Sequence, residues 1–252
     1  MTFVASQHFL TQTEDPAPRT LVEKAYRAMR ADIIEGRLLP GCKLRVEHLK
    51  EDYDVGAGTL REALSLLVSD ALVYNEGQRG FRVSPISLDD LEDLTNQRVL
   101  LETEALRQSI RHGDARWEAE LRSSYEAMTR LRDSSGQIDT QQFEQCNKRF
   151  HEALIAGYHS PWTKYLLGLL NRHSERYRYM TLQLVAEHTI ERNVDEEHEI
   201  IFRAAIARQD ARAALALESH VRITCDLIRQ VARSQALPGF EASKPGLLPV
   251  KS

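Results

Sequence analysis

The sequence predicts a mainly α protein in two parts: three short helices with a β-hairpin, then an all-α helical bundle. Three observations carry this expectation. Only 12 Gly and 8 Pro interrupt 252 residues, too few for a turn-rich β fold. Before residue 85, short helical periods give way to two apolar triplets around a glycine turn. From Leu88 to Ser234, apolar residues recur at helical spacing in long runs.

Residues 1–18, with Pro16 and Pro18, read as a flexible tail without the basic and apolar regions of a secretory signal. A first helix starts at Leu21 on the stripe Leu21, Ala25, Ala28, Met29 and Ile33, and Gly36 suits the position just past its end. Pro40-Gly41 marks a turn. Val46–Tyr53 and Gly58–Ala71 follow as helices, the latter with Leu60, Ala63, Leu64, Leu67 and Val68 on one face. Leu72-Val73-Tyr74 and Phe81-Arg82-Val83, separated by a segment containing Gly77 and Gly80, form a hairpin. Three short helices and a hairpin in this order make a winged helix-turn-helix over 19–85. The bundle, 86–235, is expected as helices at Leu88–Arg111, Trp117–Arg132, Thr140–Ala156, Trp162–Glu187, Asn193–Arg208 and Asp210–Ser234. A midway break in the fourth is left open. Residues 236–252 read as a flexible Pro/Gly-rich tail.

The net charge of −4 excludes a strongly basic nucleic-acid coat. Through residue 85 there are 11 basic against 12 acidic residues, so any nucleic-acid contact must be a local patch. No apolar run approaches the roughly 18 residues that span a bilayer, so no membrane partner is expected. Cys42, Cys146 and Cys225 are odd in number and widely spaced, which suits reduced thiols and a cytoplasmic location.

A helix that enters the major groove presents its N-terminal side chains to base edges and its backbone N–H groups to phosphate. Thr59 and Arg61 occupy that first turn, and an arginine can read guanine O6 and N7 together. Arg45 and the wing residue Arg79 are placed for phosphate or groove-edge contact. The segment resembles the DNA-binding domain of the GntR family of bacterial transcription regulators. The resemblance rests on Gly36, Pro40-Gly41, Leu44, Leu49, Val55, Leu60-Arg61-Glu62-Ala63-Leu64, Leu67, Leu72-Val73 and the Gly80–Val83 wing. It implies double-stranded operator DNA as partner. Where the family commonly carries a Ser/Thr-Arg-Thr run, this chain has Gly56, Ala57 and Gly58, which thins direct base readout.

In the bundle, polar residues interrupt apolar stripes. One stripe runs Phe143, Asn147, Phe150, His151, Leu154, Tyr158; a second runs Val194, His198, Ile201, Phe202, Ala205; a third runs Ala213, Leu217, His220, Val221, Thr224. Asn147, His151, His198 and His220 are therefore expected to converge. A lone inward His is commonly just a satisfied core residue. Several buried imidazoles cost on the order of a few kcal/mol each without partners, and a shared divalent transition metal, Zn or Ni foremost, removes that cost. Arg98 also lies on an apolar stripe, with Leu91, Leu94, Leu101 and Ala105, and an inward Arg needs an anion. That anion is either Glu102 one turn on or the carboxylate of a bound effector. Arg172 and Arg176 with Tyr177 are further pocket candidates.

These stripes resemble the FCD ligand-binding domain of the FadR-like branch of the same family, over about 88–233. The matching strings run from Asn147 through Phe150-His151 to Leu154, from Glu196-Glu197-His198 to Ile206, and from Asp210 to His220-Val221. The resemblance implies a metal held by an Asp or Asn and three His, a small carboxylate effector, and an effector-binding Arg at Arg98. The sequence thus reads as an operator-binding homodimer, a repressor modulated by metal and effector. An architectural DNA-binding dimer without effector is one alternative. A metal-dependent hydrolase is the other, but no HExxH is present, and Glu152 and Glu197 lie about 100° around their helices from the neighbouring ligands. The expectation is a protein that is not an enzyme.

Overall fold

The computed structural model describes residues 18–133, 140–186, 191–234 and 240. The tails expected at 1–18 and 236–252 lie outside the described residues except for Pro18 and Phe240. The described elements are α1 (Leu21–Ile34), β1 (Lys43–Leu44), α2 (Val46–Tyr53), α3 (Ala57–Ser69), β2 (Val73–Asn75), β3 (Phe81–Val83), α4 (Leu88–His112), α5 (Ala115–Asp133), α6 (Thr140–Ile155), α7 (Pro161–Ala186), α8 (Val194–Ile206) and α9 (Asp210–Ser234). The chain divides into two compact units. One is built from the described residues of Met1–Leu94, Gly168–Glu187 and Cys225–Ser252, the other from those of Thr95–Leu167 and His188–Thr224.

In the first unit, Thr20 caps α1 by accepting the Glu23 N–H at 3.1 Å. The helix ends at Gly36, whose φ of +75° is the left-handed conformation glycine adopts freely. Ala25, Met29 and Ile33 meet Leu60, Ala63, Leu64 and Leu67 of α3 in a shared core that Leu44, Leu49, Leu72, Val73 and Val83 complete. The sheet is antiparallel in the order β1-β3-β2, with Val73 opposite Val83 and Asn75 opposite Phe81. Strand β1 escapes the sequence reading because two residues carry no alternation. Phe240 pairs with Ile86 and sets its ring against Tyr177, on a second core of Ile86, Leu91, Leu94, Tyr177, Cys225 and Ile228.

The same unit holds the end of the third helix through α7. Asp70, the C-cap of α3, receives the Tyr26 hydroxyl and pairs with Arg172 at 3.1 Å. Burial holds the His173 imidazole below its ordinary pKa, so the ring is neutral and its Nε2–H donates to the Asp70 carbonyl at 2.8 Å. Arg176 donates to the Ser84 carbonyl at 2.6 Å, and Glu175 pairs with Arg30. Tyr177 donates to Asp90 at 2.6 Å. The sequence offered Arg172, Arg176 and Tyr177 as pocket candidates; in the fold a terminal nitrogen of Arg172 pairs with Asp70, Arg176 with the Ser84 carbonyl and the Tyr177 hydroxyl with Asp90.

The second unit packs α5, α6 and α8 with parts of α4 and α9 around Leu106, Leu121, Phe150, Leu154, Ile201, Ala205 and Leu217. Gly113 follows α4, where Trp117 closes over it and donates its indole N–H to the Ala153 carbonyl at 2.9 Å. A Cβ on Gly113 would stand 2.5 Å from the Ser109 carbonyl oxygen and 2.6 Å from the Trp117 ring. Gly113→Ala should cost about 1–3 kcal/mol through overpacking. Urea unfolding checks this, and a shift below about 0.5 kcal/mol, the range of neutral surface changes, would show that the site relaxes freely.

Candidate metal centre and DNA-binding face

Imidazoles from three helices meet in the second unit. His151 comes from α6, His198 from α8 and His220 from α9, and one potential ligand nitrogen from each lies within 4.8 Å of the others. Ring centroids are 5.5 Å apart for His151 and His198, 5.0 Å for His151 and His220, and 4.7 Å for His198 and His220. His198 is fully buried, and the edge of Phe150 packs against it at 5.2 Å. Asn147, one turn before His151 on α6, is also buried. In such an apolar setting three protonated imidazoles would repel one another and lose hydration, whereas three neutral ones offer lone pairs to one cation. The three nitrogens fit a borderline transition metal.

Two neighbours of this cluster were not singled out as functional by the sequence. Glu197 lies off the buried stripe of α8, yet its Oε2 is 2.7 Å from His220 Nδ1. Arg192 grips both oxygens of Glu197, at 3.0 and 2.7 Å. Proximity to the inward His198 is the one sequence signal that could have raised Glu197. Its contact with α9 depends on helix packing, which periodicity does not encode.

Arg98 projects from α4 with its side chain 12% exposed, and its Nε donates to Glu102 Oε1 at 2.7 Å. The i,i+4 partner considered from sequence is thus the resident anion.

In the first unit, α2 ends at Asp54 in the left-handed conformation, and Gly56 caps α3 with no side-chain hydrogen bond. Thr59 is half-buried in the first turn of α3, and Arg61 is exposed just beyond it. Arg45 is the exposed N-cap of α2. Arg79 is exposed in the 3₁₀ turn Gly77–Arg79 at the tip of the β2–β3 hairpin. Gly77 and Gly80, at φ of +66° and +89°, let the wing turn there. Arg82 holds its base through Glu76 at 3.1 Å and the Gly41 carbonyl at 2.8 Å. Among the described residues, none of Arg45, Arg61 and Arg79 sits in an ion pair, so these exposed guanidiniums are open to a polyanion.

Comparison with known proteins joins the two halves. Residues 21–83 match the family model of bacterial regulatory proteins, gntR family, and residues 93–223 match the FCD domain model. The chain belongs to the GntR family. This GntR chain is 44% identical over 215 residues to the HTH-type transcriptional regulator BphR of Paraburkholderia xenovorans (strain LB400), covering 84% of this chain and 86% of that protein. It is 30% identical over 208 residues to the HTH-type transcriptional repressor GlaR of Escherichia coli (strain K12), covering 81% and 94%. The structure of E. coli McbR/YncC shares its fold, with a TM-score of 0.66 at 20% identity over 84% of this chain and 99% of that one. The GntR chain is a DNA-binding transcriptional regulator, not an enzyme. The hydrolase alternative falls with that assignment. Among the described residues, no helix is long and apolar enough to cross a membrane.

Proposed function

We propose that this GntR regulator is a cytoplasmic repressor that binds a pseudo-palindromic operator as a homodimer and is tuned by a divalent metal and a small carboxylate effector. The reading rests on one observation: three His side chains from three separate helices place ligand nitrogens within 4.8 Å of one another. His151, His198 and His220 would hold the metal, Zn or Ni, with Asn147 as oxygen donor. When bound, the cation supplies positive charge for a carboxylate. Arg98 adds a guanidinium that exchanges its Glu102 partner for that carboxylate.

On the DNA, Thr59 and Arg61 face the major groove, while Arg45 and Arg79 contact phosphate or the groove edge. Residues 19–85 act as the DNA-binding domain and 86–235 as the effector and dimerisation domain. One such head reads only a half-site, which favours a two-fold dimer. Relief of repression by the effector is the proposed sign, in keeping with the repressor named among the relatives. Coupling of about 1–3 kcal/mol would change operator affinity roughly 5–150-fold.

Elemental analysis of the purified protein, with thermal-shift screening of dicarboxylates and hydroxy acids, tests the reading. Stoichiometric metal and a carboxylate-dependent shift are expected. Metal-free protein that responds to no carboxylate would leave an architectural DNA binder. Asn147→Asp should slow metal release to a chelator, because a carboxylate binds a cation more strongly than an amide. Faster release would remove position 147 from the donor set.

A further inference from the structure

We infer that Glu197, clamped by Arg192, is a positioning residue that fixes the tautomer of His220 and so presents its Nε2 to the metal. This deepens the metal reading above and rests on it.

Glu197 Oε2 lies 2.7 Å from His220 Nδ1. An Arg192 terminal nitrogen, a donor only, also stands 3.4 Å from this Nδ1, but the Glu197 contact at 2.7 Å is shorter and a carboxylate only accepts, so we assign the hydrogen to Nδ1 and, in the neutral ring, the lone pair to Nε2. A His that ligates metal commonly donates its other ring N–H to a carboxylate, which sets ring orientation and raises ligand basicity. His220 has this partner in place, contributed by a different helix.

The carboxylate is itself fixed. Arg192 reaches Glu197 Oε1 with Nε at 3.0 Å and Oε2 with a terminal nitrogen at 2.7 Å, the two-pronged geometry of a strong Arg–carboxylate pair. The same guanidinium donates to the His220 carbonyl at 3.1 Å and to Thr224 Oγ1 at 3.0 Å. Arg192 therefore ties α9, through His220 and Thr224, to the first turn of α8. Asn193 caps α8 by accepting the Glu196 N–H at 3.2 Å, which anchors the turn bearing Glu197. The side chains of Arg192, Glu197 and His220 are 9%, 16% and 11% exposed, so the relay is little screened by solvent. Together these contacts orient one ligand of the cluster, and His198 follows Glu197 directly on the same helix.

The test is Zn2+ affinity, measured by chelator competition on the full chain, together with 15N shifts of the His220 ring in the metal-free protein. His220→Ala assigns the signal. In the unsubstituted protein the ring should be the Nδ1–H tautomer. Glu197→Gln keeps the shape but loses the charge, and its amide can turn a donor toward Nδ1. It should bind Zn2+ about 10–100-fold more weakly and move His220 toward the Nε2–H tautomer. Arg192→Lys breaks the two-pronged clamp but keeps a cation, and its loss of affinity should be smaller. Equal Zn2+ affinity in Glu197→Gln, or an unmoved tautomer, overturns the relay while leaving the metal reading intact. Failure of the unsubstituted protein to bind either Zn2+ or Ni2+ overturns both. A circular dichroism melt separates these outcomes from misfolding, and if Glu197→Gln does not fold, Arg192→Lys carries the same two readouts.

Discussion

Replacing His198 with alanine is expected to reduce bound metal to trace levels and to abolish any rise in melting temperature on adding Zn2+. His198 is the fully buried member of the cluster, within 5.5 Å, centroid to centroid, of both other rings. Without it, two nitrogens and an amide oxygen remain, too few for a tight tetrahedral site. The magnitude follows from linkage. A ligand at 100 times its Kd that binds only the native state adds about 2.7 kcal/mol to stability, and the variant forfeits that gain. Metal-free unsubstituted protein is the reference, so the cavity left by the imidazole is not mistaken for the loss of metal. Stoichiometric metal in His198→Ala would dismiss His198 as a ligand.

Arg61→Ala should weaken operator binding by about 1–3 kcal/mol, roughly 5–150-fold, if the guanidinium reads a guanine. The stability of the fold should be unchanged, because Arg61 is exposed while Leu60 and Ala63 beside it face the core. Affinities taken over a range of salt say which contact was lost. A base contact leaves the slope of log affinity against log salt nearly intact, whereas a phosphate contact lowers it by about one. Unchanged operator affinity would remove Arg61 from the interface altogether. The glycines around it give this test its force: with Gly56 and Gly58 where hydroxyl-bearing side chains are common in the family, few groups remain to compensate.

The helices were legible because their stripes are long. The spacing that places Asn147 and His151 one turn apart on α6 also puts both on its inward face. Likewise, His198 and His220 fall between apolar residues that their helices bury. Helix ends were less certain: α3 begins at Ala57 rather than Gly58, and α5 at Ala115 rather than Trp117, since a first turn contributes little to a periodic pattern. The fourth bundle helix, α7, runs unbroken from Pro161 to Ala186 despite Gly168. Contacts between distant segments were invisible. Nothing in the spacing of Glu197 predicts that it reaches His220 on α9. Arg172 and Arg176 looked like pocket cations because only the folded chain shows that Asp70 and the Ser84 carbonyl receive them.

The engagement of Asp70 bears on how this regulator should be dissected. A truncation ending near residue 85 would strip Arg172 and His173 from Asp70, the C-cap of α3, leaving its carboxylate with Tyr26. The excised fragment would fray at that end, and affinities measured on it would understate those of the intact chain. A faithful minimal fragment would carry Gly168–Glu187 along with the head.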